Sequence, residues 1–141
     1  VRLFLDSSVL IAAAVSAEGA SREVFRLAST RDWRLITTPY AVAEVVRNLV
    51  GFTAPVTSTW LRLRDRLHLA DDVLTIDKPA VFPVTKDRPI LFSALATADV
   101  LLTLDRVDFG RLLGTRFYGL AIMTPGTWLV QEREVRRPDA S

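Results

Sequence analysis

The chain has no cysteine, a single histidine (His68) and only two lysines (Lys78 and Lys86) among 141 residues. Without cysteine there are no disulfides, no thiolate metal sites and no cysteine nucleophile, and a reducing cytoplasm is the expected compartment. One imidazole excludes His-rich zinc sites and any mechanism that needs two histidines as acid and base. Long apolar runs are also missing: the stretch from Val9 to Val15 follows closely on Asp6 and falls far short of the ~20 residues that span a bilayer, so no membrane association is expected. The segment from Val1 to Ala20 reads as a strand and helix of the fold rather than as a secretion signal, because Arg2 is its only basic residue and Asp6 interrupts its apolar stretch. The scarcity of lysine leaves arginine as 16 of the 18 basic residues. Arginine suits bidentate phosphate contacts, although a GC-rich genome produces the same bias. A net charge of +2 permits nucleic-acid binding without requiring it.

Half of the residues are hydrophobic, enough for one domain with a continuous core. Strand-like runs from Val1 to Leu5, Trp33 to Thr37, Val100 to Leu104 and near Phe117 to Ile122 alternate with helical patterns. The helices are expected after Asp6-Ser7-Ser8 through Val15, from Arg22 to Ser29, from Pro39 to about Val50, from Val56 to Leu69, and from Asp87 through about Ala98. Thr38 stands as a capping side chain before Pro39. A short strand is expected around Val73 to Ile76, a short helix after Asp105, and a C-terminal turn around Pro125 to Val130. Alternation of this kind predicts an α/β fold, a three-layer α/β/α sandwich with a mainly parallel central sheet. The domain is expected to occupy residues 1–130, with residues 131–141 as a charged, frayed tail.

In an open parallel sheet, ligands bind beyond the carboxyl ends of strands, and Asp6 and Asp105 both stand where a strand gives way to a helix. Asp87 opens the helix that feeds the Asp105 strand, and the path allows it either edge of the sheet. Helix capping, worth about 1 kcal/mol, explains each aspartate taken singly. Glu44 lies mid-helix, opposite an apolar stripe of Val42, Val45, Val46 and Leu49, where a solvated face is its ordinary explanation. Asn48, one turn later, either orients Glu44 or shares that solvated face.

Four segments in order resemble the acidic motifs of PIN-domain ribonucleases, most closely those of VapC-like toxins from toxin–antitoxin pairs. They are Phe4-Leu5-Asp6-Ser7-Ser8-Val9-Leu10, Thr38-Pro39-Tyr40-Ala41-Val42-Ala43-Glu44, Lys86-Asp87-Arg88-Pro89-Ile90-Leu91 and Leu101-Leu102-Thr103-Leu104-Asp105-Arg106-Val107-Asp108-Phe109. The resemblance implies a metal-dependent endoribonuclease with Asp6, Glu44, Asp87 and Asp105 as its acids, of which Asp6, Asp87 and Asp105 would ligate metal. It also implies supporting or RNA-contacting roles for Ser8, Thr103 and the additional acid Asp108. Where many members have glycine before the fourth acid, this chain has Leu104. The resemblance further implies an RNA substrate, a cognate antitoxin and a homodimer.

Clustered carboxylates repel one another and need a cation or shared protons, and oxygen ligands favour hard ions such as Mg²⁺, with Mn²⁺ an alternative. Arg88 and Arg106, beside two of the acids, suit phosphate contact or counter-charge equally. The run Arg62, Arg64 and Arg66 suits an RNA groove or, more simply, a solvated helix face. Other classes remain open at this level. A housekeeping RNA-processing nuclease and a catalytically inert RNA-binding module both share the motifs, and an aspartyl-phosphate receiver would also place an aspartate after a parallel strand.

Overall fold

The fold was obtained as a computed structural model, which describes residues 1–74 and 87–136. Strands β1 (Arg2–Leu5), β2 (Arg34–Thr37), β3 (His68–Leu69), β4 (Val100–Leu102), β5 (Thr115–Phe117) and β6 (Leu120–Met123) form one sheet in the order β3-β2-β1-β4-β6-β5. Every pairing is parallel except the β5–β6 hairpin. Seven helices accompany them among the described residues: α1 (Ser7–Val15), α2 (Ala20–Arg31), α3 (Pro39–Leu49), α4 (Ala54–Arg64), α5 (Arg88–Thr97), α6 (Arg106–Phe109) and α7 (Pro125–Arg136). This is the α/β/α sandwich expected from the alternation of elements.

The central strands are apolar on both faces because both faces are covered. Successive side chains of a strand point to opposite sides, so Leu3 and Leu5 of β1 join a core with Val9, Leu10, Phe25 and Trp60, while Phe4 joins another with Ile36, Ile90 and Phe109. All three β1 residues are fully buried. The strand order runs outward from β1 in two directions, to β2 on one side and β4 on the other. Reversal of that kind opens a crevice at the carboxyl ends of the two inner strands.

At the opposite edge, Asp99 ties β4 to β1: its Oδ2 accepts from the Arg2 backbone N–H at 2.8 Å and its Oδ1 from the Arg2 guanidinium at 3.2 Å. The Arg2 guanidinium, and then the Arg2 amide, hold the Asp99 carboxyl below the usual carboxylate range. The pair is half exposed, so Asp99→Asn is expected to cost no more than about 1 kcal/mol in a denaturant titration at neutral pH. Because the folded-state value is the lower one, this contribution is complete above the unfolded carboxyl's pKa and is lost as pH falls through the folded value. The same substitution should therefore have no effect in strong acid.

Several local expectations are overturned. The helix expected from Val56 to Leu69 stops at Arg64, and His68 and Leu69 instead extend the sheet through Ile36↔His68 and Thr37↔Leu69. The apolar period carries on past the helix because Leu67, beyond its end, packs against the same core as Trp60 and Leu63, whereas His68 and Leu69 are exposed. Val73 and Leu74 are not strand, while residues 75 and 76 lie outside the described residues. Leu104 is not in a strand, because β4 ends at Leu102. The single strand expected near Phe117 to Ile122 is a hairpin, turned at Tyr118 and Gly119 with φ of 47° and 87°. Both residues thus adopt the left-handed conformation that two-residue hairpin turns require.

Nor is residue 130 the end of the fold. The segment expected to be a turn and then a frayed tail is α7, which continues through Arg136 and packs Trp128 edge-on to Trp33 at 5.4 Å. Pro125 sits at its start, where a missing N–H costs nothing. Thr38 occupies the N-cap of α3 but makes no capping bond. The Asp72 carboxylate instead accepts from the Tyr40 N–H at 3.2 Å. Val46 is half exposed, so the buried stripe of α3 is narrower than its sequence implied.

Candidate active site

Asp6 follows β1 and caps α1, and its side chain accepts from the Ser7 N–H at 2.7 Å. The residue is 4% exposed. Its Oδ2 accepts two further hydrogen bonds, from Thr103 Oγ1 at 2.7 Å and Ser8 Oγ at 3.0 Å. Burial pushes the Asp6 carboxyl above its ordinary range and the neighbouring Glu44 charge pushes the same way, while the Thr103, Ser8 and Ser7 bonds oppose them.

The two hydroxyls also face outward from Asp6. Thr103 Oγ1, fully buried, accepts from the Asp105 N–H at 3.1 Å, and Ser8 Oγ accepts from the Leu104 N–H at 3.0 Å. The loop after β4 is therefore moored to the acid after β1. Asp105 caps α6 and accepts from the Asp108 N–H at 2.9 Å. Asp87 stands at the N-cap position of α5, where its side chain makes no capping bond, and is 5% exposed. Since α5 runs back toward the start of β4, its first residue lies at the carboxyl edge of the sheet, which settles the edge that sequence left open.

Glu44 reaches this group through Ser7, whose Oγ donates to Glu44 Oε2 at 2.7 Å and stands 3.3 Å from Asp6 Oδ1. One hydroxyl hydrogen thus lies between two carboxylates, nearer to Glu44. A pocket of about 440 Å³ is lined by Asp6, Glu44, Asp87 and Asp105 together with Ser7 and Ser8. Asp87, Asp105 and Asp108 each bring one carboxylate oxygen within 4.8 Å of the others. Asp6 lines the same pocket but stands outside that tighter group. Three hard oxygen donors without nitrogen or sulfur suit an ion such as Mg²⁺ or Mn²⁺.

Asn48 lines the pocket, but its amide donates to the Glu44 backbone carbonyl at 2.8 Å rather than to the carboxylate. Arg88 and Arg106 are exposed, and among the described residues the basic residue that lines the pocket is Arg47. Sequence reasoning missed Ser7 and Arg47. Ser7 stands beside Asp6, and Arg47 lies one helical turn from Glu44, which is the signal that would have found them.

In the metal-free protein, Asp6→Asn is expected to raise the melting temperature at neutral pH by a few degrees, as about 1 kcal/mol does in a domain of this size. It removes a buried charge, whose desolvation is the larger effect, and keeps an acceptor for the Ser7 N–H while giving up the Oδ2 acceptor that Thr103 and Ser8 use. Because folding raises the Asp6 pKa, wild-type stability should increase as pH falls through the folded value, and the variant should lack that increase. Thermal unfolding in EDTA across mildly acidic pH measures both effects.

No family model matches the sequence, and no curated protein matches it. Solved structures do match, and they define the fold as PIN-like. One is a chain from the crystal structure of VapBC2 from Rickettsia felis bound to a DNA fragment from their promoter. It aligns with a TM-score of 0.62 over 88% of this chain and 98% of that one, at 14% identity. At that identity the likeness carries the fold alone.

Proposed function

We propose that this chain is a metal-dependent endoribonuclease, the toxin of a VapBC-type toxin–antitoxin pair. The observation that carries the reading is the convergence of Asp6, Glu44, Asp87 and Asp105 on one pocket at the sheet's switch point, with Asp108 completing a tight triad of carboxylates. The fold shared with a chain of VapBC2 supports it.

In this reading Asp87, Asp105 and Asp108 hold a divalent cation. The chemistry supplied there by such an ion is neutralisation of phosphoryl charge and activation of water. Asp6, fixed by three donors, presents its carboxyl group beside the ligands without reorganising. Ser7 holds Glu44 Oε2, which leaves Oε1 to take a proton from attacking water. Arg47 places a guanidinium where a phosphate oxygen would enter. Neither a histidine nor a serine nucleophile is needed. RNA as the substrate, an antitoxin that covers the pocket and a homodimer follow from the motif resemblance, and a cytoplasmic setting from the cysteine-free sequence. Among the described residues no helix is long and apolar enough to cross a membrane.

The test is incubation of purified protein with structured and unstructured RNA in Mg²⁺, Mn²⁺ or EDTA, joined to mapping of new RNA ends after induced expression in bacteria. Discrete cuts that need the ion, with growth arrest, are the expected result. Cuts without growth arrest would favour a housekeeping nuclease, and metal-independent RNA binding without cuts would overturn the enzymatic reading.

A further inference from the structure

Four arginines surround a depression at the far end of α1 from the acid pocket. Its lining is Ala17, Arg22, Arg26, Arg62, Leu63 and Arg66, and its volume is about 420 Å³. Among the described residues no acidic side chain belongs to that lining, although Glu23 pairs with Arg26 just outside it. Arg22 and Arg26 are one turn apart on α2. Facing them, Arg62 stands on α4 and Arg66 one turn further, just beyond the helix end. Like charges at that spacing destabilise a helix, as Arg22 and Arg26 do in α2, and the two cations facing them add to the repulsion.

Local roles explain part of the arrangement. Arg22 Nε donates to the Ala13 carbonyl at 2.5 Å, closing the end of α1, and Arg66 donates to the Phe25 carbonyl at 2.5 Å while lying over the Phe25 ring. The dipole of α4 favours cations in its last turn, but Arg22 is in the first turn of α2, where a dipole disfavours them. A guanidinium has five N–H donors, so these bonds fix the heads of Arg22 and Arg66 and leave donors to spare. Arg26 and Arg62 stand exposed beside them.

We propose that this depression is a phosphate-binding subsite that holds the RNA backbone a few nucleotides from the acid pocket. The choice of RNA rests on the nuclease reading above. A pocket of carboxylates repels a polyanion, and Arg47 is the one cation in its lining among the described residues, so affinity for a strand draws on cations elsewhere. Helix α1 joins the two places. Asp6 caps one end, Ile11 lines the acid pocket, Ala17 lines the arginine depression, and the nine-residue helix between is about 14 Å long.

The experiment is fluorescence anisotropy with a labelled single-stranded oligouridylate in EDTA, so that nothing is cut. Wild type is compared with R26Q/R62Q and with R116Q/R133Q, a charge-matched control whose residues line neither site. R26Q/R62Q is expected to bind about tenfold more weakly. Its affinity should also fall less steeply with log salt, the slope being shallower by about 1.4 for two lost phosphate contacts at about 0.7 each. Binding equal to wild type, or no weaker than the control, overturns the subsite, as does a wild type that does not bind the strand. Tighter binding of polyglutamate than of oligouridylate, lost in R26Q/R62Q, would assign the depression to an acidic protein partner and overturn it too. Cleavage in Mn²⁺, read separately, tests the nuclease reading. Strand binding that needs Arg26 and Arg62 without any cleavage keeps the subsite and removes the enzyme, whereas cleavage with binding indifferent to both removes only the subsite.

Discussion

Asp105→Asn is expected to lower metal-dependent RNA cleavage about 1,000-fold, the upper end of what removing one preorganised group costs. Its carboxylate serves twice. One oxygen caps α6 by accepting from the Asp108 N–H, and the side chain brings an oxygen within 4.8 Å of those of Asp87 and Asp108. Asparagine caps a helix as well as aspartate does, so α6 should stay formed while one anionic ligand is lost. Folding and metal binding can then be read apart. Calorimetric titration with Mn²⁺ should show affinity weakened at least tenfold, and the metal-free variant should melt no lower than wild type, because one of three mutually repelling carboxylates is gone. Asp87→Asn should behave alike, since Asp87 is the most buried of the three. Unchanged cleavage together with unchanged Mn²⁺ affinity in both variants would remove the assignment of this triad as the metal centre.

How much of this centre was legible in the sequence depended on which element each acid came from. Asp6 and Asp105 follow parallel strands, and topology alone sends such residues to one edge. Asp87 was undetermined because a helix start is placed by the direction of the helix, which became clear only when α5 was seen to run back toward the beginning of β4. Glu44 was harder still. Its position depends on how α3 is rotated against α1, and the contact that fixes it is the Ser7 hydroxyl, a feature of tertiary packing with no trace in the periodicity of either helix. The motif resemblance grouped Glu44 with the aspartates but put Asp108 in a supporting role, whereas the geometry sets Asp108 beside Asp87 and Asp105. His68 and Leu69 failed for a related reason: a two-residue strand is defined by its partner, Ile36 and Thr37, and not by its own sequence. The end of α7 was misjudged because Pro125 and Gly126 look like a turn when the Trp33–Trp128 contact is not in view.

Thr103→Val should separate the scaffold of the site from its ligands. The Thr103 hydroxyl is fully buried and joins the two strand ends, donating to Asp6 Oδ2 at 2.7 Å and accepting from the Asp105 N–H at 3.1 Å. Valine has nearly the same shape and neither bond, so the packing between β4 and its neighbours should survive. What is lost is one donor to a buried carboxylate and one acceptor for an amide, a destabilisation of about 2–3 kcal/mol by the cost of leaving buried polar groups unpaired. With one of its opposing hydrogen bonds gone, the Asp6 carboxyl should move further above its ordinary range, and metal-free stability should depend more steeply on pH than in wild type. Activity should fall about 10- to 100-fold, as when a residue that orients a metal ligand is removed. Thr103→Ser restores the hydroxyl without the methyl group and should recover most of the activity while remaining less stable than wild type. If serine failed to recover activity that valine had lost, packing by the methyl group rather than the shared hydrogen bond would be what holds Asp105 in register with Asp6.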